Sequence, residues 1–259
     1  MRKAFGDLTG MGLSSMMTTM ELKGKWVLVT GAAKRVGRRI ALEFAGRGAA
    51  VHLHYHTSAA EAEKTAAEIR ALGVECRTHR ADLSRPDEVR KLATSLEAPV
   101  DVLVNSASLF FRTPVDTASE ADWDRLMNAN LKGPFLLSNA IGLGMRERGG
   151  GRIVNIADWS GLRPYHDYSA YCASKGGLIT LTKALAQDLA PKVLVNAVAP
   201  GPVLLPEDYS EKEKEAVARL TALGRWGDPA DIARAAVFLA ESDFINGTVL
   251  VVDGGRSLY

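Results

Sequence analysis

Seven short strand-like runs, most of them apolar, recur along the chain, and each consecutive pair is separated by segments of helical periodicity. The runs cover residues 25–30, 49–55, 75–80, 100–105, 153–156, 192–198 and 248–252. Between them, helices are expected from Arg35 onward (Ile40, Leu42, Phe44), over 59–72, 86–96 and 122–148, through Tyr171 to about Leu189, and over 207–223 and 229–240. Gly73 closes the second helix, Pro191 follows the one ending near Leu189, and Pro134 is expected to kink or break the long one. The run 100–105 is almost wholly apolar instead of alternating, as a parallel strand buried on both faces must be. Strands alternating with helices predict an α/β chain with a doubly wound parallel sheet of about seven strands and helices on both faces. Ligands in such a sheet bind outside the carboxyl ends of the strands.

Composition narrows the class further. With 259 residues, 47% hydrophobic and 24% charged, the chain has enough apolar material for one ordinary globular core. A net charge of +2 gives no electrostatic case for nucleic acid or a membrane surface as partner. No apolar run approaches the roughly 20 residues that a membrane span requires. Cys76 and Cys172 have neither metal-ligand spacing nor a CxxC form, which fits buried thiols in a reducing cytoplasm. Residues 1–20, with Met11, Met16, Met17 and Met20 among Gly, Ser and Thr, read as a flexible leader before a domain over 21–259. A charged stretch at 202–225 lies where a lid over the substrate would sit.

The strand ends carry the chemistry. The first strand runs into Thr30-Gly31-Ala-Ala-Lys34-Arg35-Val36-Gly37, where small residues let backbone approach a pyrophosphate and a helix N-terminus offers unpaired N–H groups. The turn lacks the middle glycine of G-x-G-x-x-G, but Lys34 and Arg35 place two cations where anions would lie. The second strand ends in His56-Thr57-Ser58, with no carboxylate until Glu61. A carboxylate there would bind a ribose 2′-hydroxyl; hydroxyls and cations suit a 2′-phosphate, so NADP(H) is the expected cofactor. His52, His54 and His56 alternate on one face, yet no fourth ligand is evident and no metal is expected.

Asp82, followed by Leu83 after the third strand, can meet an adenine amino group. The fourth strand ends in Asn105-Ser106-Ala107-Ser108, followed by Phe110 and Phe111, aromatic rings placed to stack on a planar ligand or to pack in a core. Asn130, in mid-helix, reads by itself as a solvated residue. Pro200 and Gly201 follow the sixth strand.

The fifth strand delivers Asp158, and Tyr171 and Lys175 follow four residues apart, on one face of a helix. A free phenol titrates near about 10, and an ammonium one turn away is expected to pull it toward the working range. A carboxylate, a phenol and an ammonium then stand together as candidate acid–base groups.

The set Thr30-Gly31…Gly37, Asp82, Asn105, Asn130, Tyr171-x-x-x-Lys175 and Pro200-Gly201 resembles the short-chain dehydrogenase/reductase family, over nearly the whole chain from Leu22 to Leu258. The resemblance implies a single-domain Rossmann-type fold and a homotetramer built on the long helices. It also implies Tyr171 as proton donor, Lys175 as the residue holding the nicotinamide ribose, and Asn130 as part of a water relay. A serine is usual 13 residues before the tyrosine, and here Asp158 stands there. An ionised carboxylate would repel a carbonyl oxygen that becomes negative during hydride addition. It suits a substrate that presents N–H donors.

The chain is also similar to the pteridine reductase subgroup, including dihydromonapterin reductase-like proteins. Gly31-Ala-Ala-Lys34-Arg35, His54-Tyr-His56-x-Ser58 and Asn105-x-Ala107-Ser108-x-Phe110 carry that similarity. It implies that Phe110 and nicotinamide sandwich a flat heterocycle, that Ser108 contacts it, and that Arg35, His56 and Ser58 contact the cofactor phosphates. Ser106 and Thr57 depart from the subgroup, which commonly has asparagine and arginine at those places. The expected activity is NADPH-dependent reduction of a pterin-like ring. The alternatives are a carbonyl reductase, such as a 3-oxoacyl-carrier-protein reductase, and a non-catalytic NADP-binding sensor or scaffold.

Overall fold

In a computed structural model, residues 19–204 and 210–258 are described. Most of the leader and the segment 205–209 of the expected lid therefore lie outside the described residues. Seven strands, β1 (Trp26–Val29), β2 (Ala50–Tyr55), β3 (Cys76–Arg80), β4 (Val102–Asn105), β5 (Gly151–Ile156), β6 (Val193–Pro200) and β7 (Val249–Val252), form one sheet. Its order is β3-β2-β1-β4-β5-β6-β7 and every pairing is parallel. The chain winds outward from β1 in one direction, then restarts at β4 in the other, so β1 and β4 flank the switch-point crevice where such sheets bind ligands.

Helices cover both faces because the central strands have two apolar faces to bury. Val27 and Val29 point to one side, against Ile40 and Phe44 of α1 (Arg35–Gly46) and Ile232 of α8 (Pro229–Glu241). Leu28 and Leu103 point to the other, against Leu137, Ile141 and Met145 of α5 (Gly133–Glu147) and Leu185 of α6 (Ser169–Asp188). At about 25 cal/mol per Å² of buried apolar surface, these two layers supply the dominant stabilising term. Helices α2 (Ala59–Ala71), α3 (Pro86–Thr94), α4 (Glu120–Met127) and α7 (Glu211–Arg219) complete the set.

The long helix expected over 122–148 is two helices joined by a π-helical turn, Asn128–Lys132. Pro134 follows that interruption directly, in the first turn of α5, where its missing N–H costs nothing. The turn is held by Asn130, which is buried, contrary to the solvated reading of a mid-helix asparagine. Its side-chain amide donates to the Leu109 carbonyl and Ser174 Oγ, and its Oδ1 accepts from the Leu109 N–H at 2.8 Å and from Ser108 Oγ. These bonds tie the loop after β4 to α6. The expected lid helix is shorter than the 207–223 reading, and α7 buries none of its residues. Among the described residues, no helix is long and apolar enough to cross a membrane.

Candidate active site

The first turn packs against the end of β4 with almost no spare room. A Cβ at Gly37 would lie 2.3 Å from the Gly31 carbonyl oxygen, and one at Gly31 would lie 2.8 Å from the Ala107 backbone. Gly31 also has φ +65, in the left-handed region that favours glycine. Thr30 Oγ1 accepts the backbone N–H groups of both Ser106 and Ala107, at 2.9 and 3.0 Å, so the two strand ends are pinned together across the switch point. Arg35 adopts φ +58, a conformation that costs a residue with a Cβ about 1–2 kcal/mol. Neither Lys34 nor Arg35 makes an ion pair among the described residues, whereas Arg38 is paired with Glu68.

The N-terminus of α1 carries no acidic residue and no side-chain cap. The N-termini of α4, α7 and α8 are each closed by a capping box. A tight glycine turn, unpaired cations and uncapped amides fit the anionic pyrophosphate of a dinucleotide. At the end of β2, His56 lies 3.8 Å from Asp82 and Thr57 is exposed, while Ser58 begins α2 without capping it. The Asp82 carboxylate is partly engaged within the chain, because Oδ1 accepts from Ser84 N and Oγ. Leu83 is buried beside Gly133 of α5. Pro200 is buried, and Gly201 packs against Asp253 at the ends of β6 and β7.

The three alternating histidines do not form a common cluster. His54 is buried with both ring nitrogens engaged: Nδ1 accepts the Gly31 N–H and Nε2–H donates to the Ala81 carbonyl. His52 instead pairs with His79 across β2 and β3 at 2.9 Å, and His56 is exposed beyond the strand.

Asp158, Tyr171 and Lys175 do converge, but not with the electrostatics expected from their spacing. Tyr171 is buried, and its hydroxyl donates to Asp158 Oδ2 at 2.8 Å. Burial first, and the Asp158 carboxylate second, hold the phenol well above its ordinary range. The expectation that Lys175 lowers the tyrosine is therefore corrected. Lys175 Nζ donates to the Ile156 carbonyl at 2.9 Å and lies 5.8 Å from the phenol ring centroid. The carboxylate bonded directly to the hydroxyl outweighs an ammonium turned toward the backbone. Burial pushes the Lys175 ammonium down to about 8, opposed by the charge of Asp158. The group so assembled is a protonated phenol on a carboxylate, with a buried lysine behind it.

Aromatic rings line the open side. Phe110 is exposed, stacks on Tyr168 at 4.7 Å and 11°, and stands edge-on to Tyr171 at 4.8 Å. One face of Phe110 is thus taken by Tyr168, a partner the sequence reading did not assign. Ser108 is exposed beside it and bonded to Asn130. Asn130 does not touch Tyr171 directly; it reaches α6 through Ser174, whose Oγ donates to the Tyr171 carbonyl. Tyr165 was also missed, although its hydroxyl donates to Asp158 Oδ1 at 3.3 Å. The signal was present as tyrosines at 165, 168 and 171, three apart, between Asp158 and Lys175.

Comparison with known proteins agrees with this geometry. The family model described as "Enoyl-(Acyl carrier protein) reductase" matches residues 31–257. The chain is 36% identical to 2-dehydro-3-deoxy-D-gluconate 5-dehydrogenase of Bacillus subtilis (strain 168), over 90% of this chain and 95% of that one. It is 37% identical to D-threitol dehydrogenase of Mycolicibacterium smegmatis, over 92% and 94%. Among solved structures it is similar to a blue fluorescent protein from a metagenomic library in complex with NADPH, with a TM-score of 0.85 and 32% identity over 92% of this chain and 99% of that one. A putative NAD(P)-dependent gluconate 5-dehydrogenase from Beutenbergia cavernae, with bound NADP, gives a TM-score of 0.87 and 34% identity over the same shares, 92% and 99%. The fold, the switch-point crevice and the matched length agree: the chain belongs to the short-chain dehydrogenase/reductase family and is an NAD(P)-dependent oxidoreductase.

Proposed function

We propose that this enzyme uses NADPH to reduce a C=N bond in a flat, pterin-like heterocycle that presents N–H donors. The observation that carries the reading is the 2.8 Å bond from the Tyr171 hydroxyl to Asp158. A carboxylate beside the proton donor disfavours a substrate oxygen that gains negative charge, and favours a ring nitrogen that gains a proton while a neighbouring N–H is held. The exposed face of Phe110 supports a planar ligand, with Ser108 at its edge. Gly31, Lys34, Arg35, Val36 and Gly37 would hold the pyrophosphate and 2′-phosphate side, with His56, Thr57 and Ser58. Asp82 and Leu83 would line the adenine end, and Asn105, Ser106, Ala107, Pro200 and Gly201 the nicotinamide end. The cofactor, when bound, supplies the hydride. Tyr171 would supply the proton, Lys175 would hold the nicotinamide ribose, and Asn130 would order the relay behind it.

The second reading is reduction of a ketone or its reverse, favoured by relatives named as sugar-acid and polyol dehydrogenases. The two are separated by following NADPH oxidation with a dihydropterin and with a β-ketoacyl thioester, for wild type and Asp158→Ser. Pterin turnover that falls on the order of 100-fold in the variant supports the first reading. Ketone turnover alone, kept or raised by serine, replaces it with the second.

Residues 21–259 then act as one cytoplasmic catalytic domain, with 202–225 as the substrate lid. A homotetramer is supported by the apolar side chains left open on α4 and α5. Trp123, Phe135 and Leu143 are each more than two-fifths exposed (46%, 41% and 44%). Phe135 also lines an open groove of about 420 Å³ with Met127, Leu131 and Leu181. Sedimentation equilibrium of wild type and Phe135→Glu tests the assembly.

A further inference from the structure

We propose that Tyr165 is a positioning residue for Asp158, holding one carboxylate oxygen so that the other meets the substrate. A carboxylate offers about four lone-pair positions. On Asp158, Oδ1 accepts from the Ser160 backbone N–H at 2.7 Å and from the Tyr165 hydroxyl at 3.3 Å, which fills it. Among the described residues Oδ2 accepts from Tyr171 alone, at 2.8 Å. When Tyr171 turns its O–H toward a substrate nitrogen, Oδ2 gives up that bond. A free carboxylate would rotate at that moment; one fastened through Oδ1 stays in place.

Tyr165 is built to be that fastener. Its backbone N–H donates to Cys172 Sγ at 3.4 Å, one residue beyond Tyr171, so the two phenols are carried on one packed unit. Its ring stands edge-on to Trp159 at 5.0 Å and to Tyr168 at 5.9 Å. Burial, then the Asp158 carboxylate, push its phenol far above the ordinary range, so it stays protonated and keeps its proton on the bond to Asp158.

The clamp also defines the edge of ligand that fits, a deduction that rests on the C=N reading above. Oδ2 and the Tyr171 hydroxyl stand side by side as an acceptor and a donor. That pair complements a cyclic amidine edge, H–N–C=N: the cofactor's hydride would go to the C=N carbon, the Tyr171 proton to its nitrogen, and the N–H would donate to Oδ2. A ketone supplies no hydrogen for the vacated Oδ2.

The test is a double-mutant cycle of Tyr165→Phe and Asp158→Ser, with kcat and KM measured on a dihydropterin and NADPH affinity measured by fluorescence. Phenylalanine keeps the ring and removes only the donor. Tyr165→Phe is expected to lower kcat about tenfold with NADPH affinity unchanged, the loss of roughly one hydrogen bond. In the Asp158→Ser background the same change is expected to cost less than about twofold, because nothing is left to position. Equal losses in both backgrounds, no loss in either, or failure of the variant to bind NADPH would each overturn the proposal. If only a ketone substrate is turned over, the cycle is run on that ketone. Coupling there keeps Tyr165 as the positioner and removes the amidine edge; additivity removes Tyr165.

Discussion

His54 accepts the backbone N–H of Gly31 on Nδ1, at 3.1 Å, while its Nε2–H donates to the Ala81 carbonyl. A neutral imidazole in one tautomer is therefore part of the glycine turn, and a second proton would set two N–H donors against each other. Burial pushes His54 down to about 4 from an ordinary 6.5. The unfolded chain takes up that proton below about 6.5 and the folded one does not until about 4, so stability is lost as pH falls across this window. At pH 5 the loss from His54 alone is about 2 kcal/mol relative to neutrality. Urea unfolding at both pH values, for wild type and His54→Asn, measures it; an equally steep loss in the variant would remove His54 as the cause.

Replacing Arg35 with alanine should weaken NADPH binding by about 10- to 100-fold, the worth of a charge-assisted contact to phosphate. NADH binding should change less than about threefold, because it lacks the 2′-phosphate. Equal losses for the two cofactors, measured by fluorescence titration, would sink the assignment.

Gly37→Ala introduces a methyl group 2.3 Å from a backbone oxygen that cannot swing away. The turn must open, at a cost of about 1–3 kcal/mol, and the pyrophosphate cradle opens with it. Loss of NADPH binding together with a lowered melting midpoint is expected. Normal affinity would show that the turn is not the cradle.

Asp158→Asn keeps the shape of the side chain and removes its charge. Since that charge helps to hold Tyr171 protonated, the basic limb of the pH profile of kcat/KM should move to lower pH. A limb that stays in place would mean that burial alone sets the phenol.

Asn130→Ala cuts four side-chain bonds that join the loop after β4 to α6. Buried groups left without partners cost about 1–3 kcal/mol each, and a chain of this size loses about 2–4 °C per kcal/mol. A drop of several degrees with a larger fall in kcat than in NADPH affinity is expected. An unchanged midpoint would contradict the anchoring role.

Much of this molecule is legible in its amino-acid order. The seven runs and their intervening helices yield the parallel sheet because chirality and burial leave one economical way to wind them, and Gly31 and Gly37 mark the first turn by backbone demands that few residues meet. Spacing alone puts Asp158, Tyr171 and Lys175 together, since strand ends and helix turns are local geometry. What spacing does not supply is the balance of their interactions. On spacing, Lys175 should govern Tyr171, yet its ammonium is bonded to the Ile156 carbonyl and the carboxylate lies against the hydroxyl.

Asn130, Pro134, His54 and Tyr165 show the same division. Local pattern makes the asparagine a solvated surface residue and the proline a kink or break. The tertiary structure buries the first in a π turn and absorbs the second into a helix start. The histidine alternation is visible in the chain, but the bond to Gly31 joins residues 23 apart on neighbouring strand ends. The sequence by itself determined the order of elements, the sheet and the family of the site, because those follow from periodicity and short-range sterics. Only the tertiary structure decided which polar atom each buried group faces, and hence which proton is held where. Desolvation makes every such pairing a strong effect, and pairings between distant segments leave no local trace.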